Sequence, residues 1–271
     1  MKNRVIYGAI LLVLTVLCIF LSPVTRVLFF AAAAILCAVE YSRQMEKLEV
    51  RCSLWVLVTY LVVQAGLTLL RAGASAYAAC FVGSVYLAFI SGILRRKVSG
   101  NGALDTAAGL AYPCVLFGAI MVISVSDIWL AALALACLST WNCDNTAFLV
   151  GRKYGKHKIA PHISPNKSVE GCVWGAVSSL PMGAVVWLLG RAFPGAPGGF
   201  ASVPLWLCIV TAFAASTMGQ LGDLAESLVK RMIGVKDFSE LIPGHGGMLD
   251  RADSLLFSIP TAYFCLRLAG L

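Results

Sequence analysis

Residues 203–231 read VPLWLCIVTAFAASTMGQLGDLAESLVKR. The first twenty of them, 203–222, carry no charge. At about 1.5 Å of rise per residue, such a run is long enough to cross the hydrocarbon core of a bilayer as a helix. Asp223 and Glu226 follow three apart, so on a helix they share one face, and Lys230 stands four beyond Glu226 in the favourable order for an ion pair. An apolar span that ends in clustered charge is therefore the unit to look for elsewhere in the chain.

The pattern recurs across all 271 residues. Apolar residues make up 59% and charged residues only 13%, against about a quarter charged in a soluble domain. Mean hydropathy is +0.85. This composition excludes a disordered chain, a disulfide scaffold and almost any water-soluble domain, and predicts an integral membrane protein. Nine apolar segments lie near 5–21, 24–39, 54–70, 74–94, 106–123, 128–142, 172–190, 203–222 and 254–271. Only Ser22 and Pro23 part the first two, which predicts a tight hairpin. Lys2 and Arg4 before the first run mimic a signal peptide, but no small-x-small cleavage site follows, so the run reads as a retained span. The ten cysteines include no Cys-x-x-Cys pair and sit mostly in apolar runs, as small hydrophobes rather than disulfides or metal ligands.

Basic residues set the orientation. With the N-terminus and every second loop on one side, that side holds 17 Lys and Arg and the other holds 4, namely Arg26, Arg71, Arg191 and Arg267. By the positive-inside rule the richer side is cytoplasmic. The expectation is an all-α polytopic membrane protein of the plasma membrane, probing as bacterial in its short length, with about nine transmembrane helices and no separate soluble domain. Its N-terminus is cytoplasmic and its C-terminus outside. Residues 1–142 supply about six N-terminal spans. Residues 143–271 form a catalytic half with two cytoplasmic loops, 143–170 and 223–253, and three further spans. The net charge of +8 follows from these loops, so no nucleic-acid partner is needed.

Those two loops hold 17 of the 34 charged residues, 8 of the 13 acids and all three histidines. The topology rule does not account for the acids, so any chemistry is expected here. Asp223 with Glu226, and Asp250 with Asp253, place four carboxylates at two adjoining helix ends. Carboxylates that close repel unless a cation or protons neutralise them, and Mg2+ held by carboxylates and phosphate oxygens is the usual solution. Between the pairs lies Pro243-Gly244-His245-Gly246-Gly247, whose backbone N–H groups suit an anion-binding nest. Lys230, Arg231, Lys236 and Arg251 are the natural phosphate partners. Acids for a metal beside basic groups for phosphate point to nucleotide chemistry.

In the first loop, Asp144 again stands where a span meets the cytoplasm, and residues 151–158 read GRKYGKHK, a basic run punctuated by glycine. Residues 164–171 read SPNKSVEG. Ser164 and Ser168 can donate to phosphate and Lys167 supplies charge. Equally, Ser168 can cap the next helix, with Gly171 and Gly175 forming a small-residue packing face. Such faces also permit a homodimer. Glu40 reads as interfacial, Asp105 and Asp127 as loop-edge residues, and Gln64 as an interhelical hydrogen-bonder.

The segment from Ser227 to Asp253, SLVKRMIGVKDFSELIPGHGGMLDRAD, resembles the signature of phosphatidate cytidylyltransferases, also called CDP-diacylglycerol synthases. That pattern is S-x-x-K-R-x4-K-D-x-x-x-x-[apolar]-P-x-H-G-G-x-x-D-R-x-D. Ser227, Lys230, Arg231, Lys236, Asp237, Pro243, His245, Gly246, Gly247, Asp250, Arg251 and Asp253 meet every fixed position. The Gly-Arg-x-x-Gly-Lys-His and Ser-Pro-x-Lys-x-x-Glu-Gly elements of the first loop match too. Asn166 departs from a Ser-Pro-Lys-Lys form, and Asn145 from an Asp-Thr-x-Ala-Tyr-like element. The motifs cover roughly 145–255.

The resemblance implies a Mg2+-dependent transferase of phospholipid biosynthesis that converts CTP and phosphatidic acid into CDP-diacylglycerol and pyrophosphate, using one metal ion or two. It implies Asp223 and Asp250 as main metal ligands, with Asp253 and Asp144 behind them. Ser164, Asn166, Lys167, Ser168, Glu170 and the His245-Gly246-Gly247 turn would contact substrate. Lys230, Arg231, Lys236 and Arg251 would supply positive charge. The phosphate of phosphatidic acid is already anionic near neutral pH, so no dedicated general base is needed. The lipid would enter sideways from the inner leaflet, through a cleft between spans. Two other readings stay open: a CTP-dependent polyprenol or lipid kinase, which would release CDP, and an ion-coupled transporter, which would show inverted repeats and mid-span acids.

Overall fold

The computed structural model describes residues 15–95, 98, 100–239 and 246–271. The expectations placed on Lys2, Arg4, Arg96, Lys97 and His245, and on most of the 5–21 span, lie outside the described residues. Residues 15–21 are helical. Beyond them come α1 (Pro23–Lys47), α2 (Leu54–Leu69), α3 (Ala74–Leu94), α4 (Ala103–Ser124), α5 (Trp129–Tyr154), α6 (Val169–Ala192), α7 (Leu205–Ile233) and α8 (Leu249–Leu268). Among the described residues, α1, α3, α4, α6 and α7 are each long and apolar enough to cross a membrane, and α2 is a shorter apolar helix.

The surface fits lipid rather than water. On α7, Trp206, Val210, Phe213, Leu221 and Leu228 are exposed at helical spacing, and on α6 so are Val173, Trp174, Val185 and Leu188. In water these stripes would be large apolar patches. Polar groups turn inward: Ser216 Oγ donates to Ser179 Oγ at 2.9 Å, Asn142 Nδ2 to the Ser178 carbonyl at 2.8 Å and Gln220 Nε2 to the Cys172 carbonyl at 3.1 Å. Interhelical hydrogen bonds of this kind bind helices where lipid removes the usual hydrophobic drive. The chain is an all-α, multi-pass membrane protein. All ten cysteines are free thiols, as expected.

The chain divides into two compact units. Unit 1 is 1–125 with 233–251, and unit 2 is 126–232 with 252–271. The segment after α7 belongs with the N-terminal helices because its hydrogen bonds go to α1.

In unit 1, α1 opens with a capping box. Ser22 Oγ accepts from Thr25 N at 3.1 Å, Thr25 Oγ1 accepts from Ser22 N at 3.0 Å, and Pro23 follows at the first helical position. Helix α1 packs on α2 and α4. Buried Arg26 donates to the Ser124 and Ile19 carbonyls at 2.9 and 3.0 Å. Buried Gln64 faces Gly118 of α4, where an added Cβ would lie 3.1 Å from its amide nitrogen.

In unit 2, α5 and α6 pack along their length. A Cβ at Gly175 would lie 2.8 Å from the Cys143 carbonyl, and one at Gly171 2.6 Å from that of Ala147. The small-residue face that could have served a dimer is used within the chain. At the far end, Arg267 grips Asp127 and holds its carboxyl below the usual carboxylate range.

Both expected loops are shorter than the sequence suggested. Residues 143–154 continue α5 through Gly151 until the cap at Gly155, with Arg152 and Lys153 suiting the C-terminal dipole. Residues 223–233 continue α7 until Gly234, whose φ of +77° gives the left-handed turn that ends many helices. The remainder of the first loop is an antiparallel hairpin, β1 (Lys158–Ala160) with β2 (Ser164–Ser168), pairing Lys158 with Ser168 and Ala160 with Ser164.

Candidate active site

The carboxylates of unit 2 converge because α7 comes unusually close to its neighbours. A Cβ at Gly222 would lie 2.6 Å from the Asp253 carbonyl and 2.9 Å from the Phe257 ring. One at Gly219 would lie 2.9 Å from the Thr140 side chain. With only hydrogens at these two turns, Asp223 and Glu226 of α7 approach Asp253 of α8. One ligand oxygen from each of the three lies within 4.8 Å of the others. Asp144, on α5, is near enough to feel the charges of Asp223 and Lys167. Asp253 feels those of Asp223, Lys230 and Asp144.

Two lysines answer these acids. Lys167 Nζ lies 2.5 Å from Asp223 Oδ2, and Lys230 Nζ 2.5 Å from Glu226 Oε2. Glu226 is completely buried and Lys230 nearly so. Ser227 Oγ donates to Asp223 Oδ1 at 3.4 Å. Three acids with oxygen donors alone, partly shielded from water, fit a hard divalent cation such as Mg2+. Asp223, Glu226 and Asp253 are the residues that would hold it. Asp223 and Asp253 were expected as ligands. Glu226 was read as one of four clustered carboxylates and as the partner of Lys230, but was not assigned as a ligand.

The hairpin delivers Lys167 from β2, and its fixings are specific. Ser168 is buried, caps α6 by accepting from Gly171 N at 3.2 Å, and sits where a Cβ at Gly151 would come within 2.9 Å of its hydroxyl. Glu170 accepts from the backbone N–H of Lys156 at 3.1 Å and of His157 at 3.2 Å, and lies 2.6 Å from His157 Nδ1. Ser168 and Glu170, two expected substrate contacts, are thus engaged in shaping the hairpin. Ser164 is half-buried and Asn166 exposed. Arg231 is exposed and its Nε donates to the Ile163 carbonyl at 3.1 Å, tying α7 to the hairpin tip.

Asp250, Lys236, Arg251, Gly246 and Gly247 belong to unit 1. Asp250 Oδ2 accepts from Phe238 N at 3.0 Å and Gly247 N at 2.9 Å, closing the glycine turn onto the first turn of α8. Gly246 has a φ of +82°. Lys236 and Arg251 are exposed. Glu40, read from the sequence as interfacial, is instead 4% exposed and its carboxylate accepts from Met248 N and Leu249 N at the start of α8.

Known proteins resemble this chain in sequence. The phosphatidate cytidylyltransferase of Bacillus subtilis (strain 168) is 43% identical over 134 residues, which is 49% of this chain and 46% of that protein. That of Staphylococcus saprophyticus (strain ATCC 15305) is 44% identical over 125 residues, 46% of this chain and 45% of its own. That of Staphylococcus aureus (strain COL) is 41% identical over 127 residues. The chain thus spans a little under half the length of the relatives it matches. A family model described as the cytidylyltransferase family matches residues 2–269. With that match running nearly end to end, the chain belongs to the cytidylyltransferase family.

Proposed function

We propose that this chain is a membrane nucleotidyltransferase that makes CDP-diacylglycerol and pyrophosphate from CTP and phosphatidic acid. The observation that carries the reading is the joining of Asp223, Glu226 and Asp253 in one group with Lys167 and Lys230 paired to it. The names of the bacterial relatives support the substrates. A phosphate oxygen of phosphatidic acid attacks the α-phosphorus of CTP. A new P–O bond forms, the bond to the β-phosphate oxygen breaks, and pyrophosphate leaves with the electron pair.

The phosphomonoester nucleophile has its second pKa near ~6, so the protein need not supply a base. Its task is to bring anions together. Lys167 and Lys230 would exchange an acid partner for a phosphate oxygen as substrate arrives, and Arg231 would add charge at the hairpin. Mg2+, when bound by the acids, supplies charge neutralisation at the phosphates. On the motif resemblance, Lys236 and the glycine turn 246–247 would contact phosphate and Asp250 would bind metal. Asp144 would act behind them. We further propose nine spans, with the N-terminus and the site on the cytoplasmic side of the plasma membrane. The 17-to-4 distribution of basic residues supports that orientation.

The test is conversion of CTP and phosphatidic acid by purified protein, with and without Mg2+, following lipid-linked CMP and pyrophosphate together. Equal amounts of both, dependent on the metal, are expected. Release of CDP with phosphorylated lipid would replace this reading with a lipid kinase.

A further inference from the structure

Glu40 is a buried acid of an apolar helix, and the mechanism above leaves it unused. Its side chain points to the other end of the sequence. Oε1 accepts from Ser239 Oγ at 2.5 Å and from Met248 N at 2.8 Å, and Oε2 accepts from Leu249 N at 2.9 Å. All three partners are donors, and two are backbone N–H groups at the start of α8, where no helical carbonyl can serve them. One turn further along α1, Gln44 Nε2 donates to the carbonyl of Phe238, a side chain buried to 1% exposure. The turn is held from within by Asp250, through Phe238 N and Gly247 N. Gly247 lies between the two carboxylates. A Cβ there would be 2.8 Å from Glu40 Oε2 and 2.9 Å from Asp250 Oδ2.

We propose that Glu40 is a positioning residue for nucleotidyl transfer. It fixes the glycine turn and the first turn of α8 in the shape that presents Asp250 and the 246–247 backbone to substrate. The inference rests on the function proposed above. Ser239, Met248 and Leu249 all donate to it, so a single carboxylate ties Ser239 to the start of α8. A glutamine keeps the shape of Glu40 but offers one acceptor oxygen in place of two, and its NH2 opposes a backbone donor. Charge-assisted hydrogen bonds are stronger than neutral ones.

The experiment compares wild type, Glu40→Gln, Glu40→Asp and the control Glu46→Gln, an exposed acid on the same helix. The first readout is hydrogen exchange of residues 246–250 in detergent-solubilised protein, without substrate. About tenfold or faster exchange is expected in Glu40→Gln and Glu40→Asp, and none in the control. The second is the Mg2+ concentration giving half the maximal rate, expected to rise about tenfold or more in Glu40→Gln at unchanged yield of folded protein. A role confined to overall stability would lower the yield and leave that concentration unmoved. Wild-type exchange and wild-type metal dependence in Glu40→Gln would overturn the proposal. If wild type itself transfers no nucleotide, the proposed function fails. In that case unchanged exchange at 246–250 overturns the placement of Glu40, and accelerated exchange retains it as a clamp without that chemistry.

Discussion

At the site, single atoms decide the outcome. Asp253→Asn keeps volume and removes one charge from the three-acid group, so the remaining pair binds a divalent cation less well. Loss of nucleotidyl transfer by about 100-fold or more is expected, in the range seen when one preorganised electrostatic group is removed. Steady-state rates across a Mg2+ series would check it. Lys230→Met tests a different property. It leaves the completely buried Glu226 without its lysine, and breaking a buried pair from one side costs about 3–5 kcal/mol. The apparent melting temperature in detergent is expected to fall further in Lys230→Met than in the double variant with Glu226→Gln, which removes both charges. Much at this scale was legible beforehand. Asp223, Glu226 and Lys230 share a helical face by spacing alone. Glu40 was not legible, since its partners Met248 and Leu249 lie some 208 and 209 residues away, and no local pattern records a contact of that separation.

At the scale of elements, two glycines and a serine carry the geometry. Gly222→Ala would place a Cβ 2.6 Å from the Asp253 carbonyl, so α7 and α8 must part. Overpacking of this kind costs about 1–3 kcal/mol, and here it also spreads the acids. Activity is expected to fall more than stability, as judged by rate against melting temperature. Ser168→Ala separates a cap from a substrate contact. The buried hydroxyl accepting from Gly171 N predicts a loss of about 1 kcal/mol with an unchanged KM for CTP. A KM raised with stability intact would return Ser168 to the substrate. Among the described residues, the five helices long and apolar enough to cross were readable because bilayer thickness fixes the length of a span. Their ends were not. Residues 143–154 and 223–233 are polar enough to look like loops, yet α5 and α7 run through them until a glycine stops each. The hairpin was missed as well, because three- and five-residue strands are too short to show alternation.

At the scale of the molecule, the question is which side of the membrane the site faces. On the proposed function Lys167 and Lys230 would meet CTP, a nucleotide of the cytoplasm, and the basic residues concentrate on the side proposed to face it. The segment 194–199, PGAPGG, lies between α6 and α7 and should face outward, whereas Lys236 follows α7 and should face inward. These two positions give opposite predictions on one chain. The ten native thiols are buried or half-buried, which keeps background labelling low. In intact cells, a membrane-impermeant thiol reagent should label Gly195→Cys and spare Lys236→Cys. After permeabilisation both should react. Gly195 suits the purpose because a side chain there meets nothing within 4 Å. Labelling of Lys236→Cys in intact cells would put the glycine turn outside, away from CTP. That result would invert the topology and remove the proposed reaction with it, because no cytoplasmic nucleotide could then reach the acids.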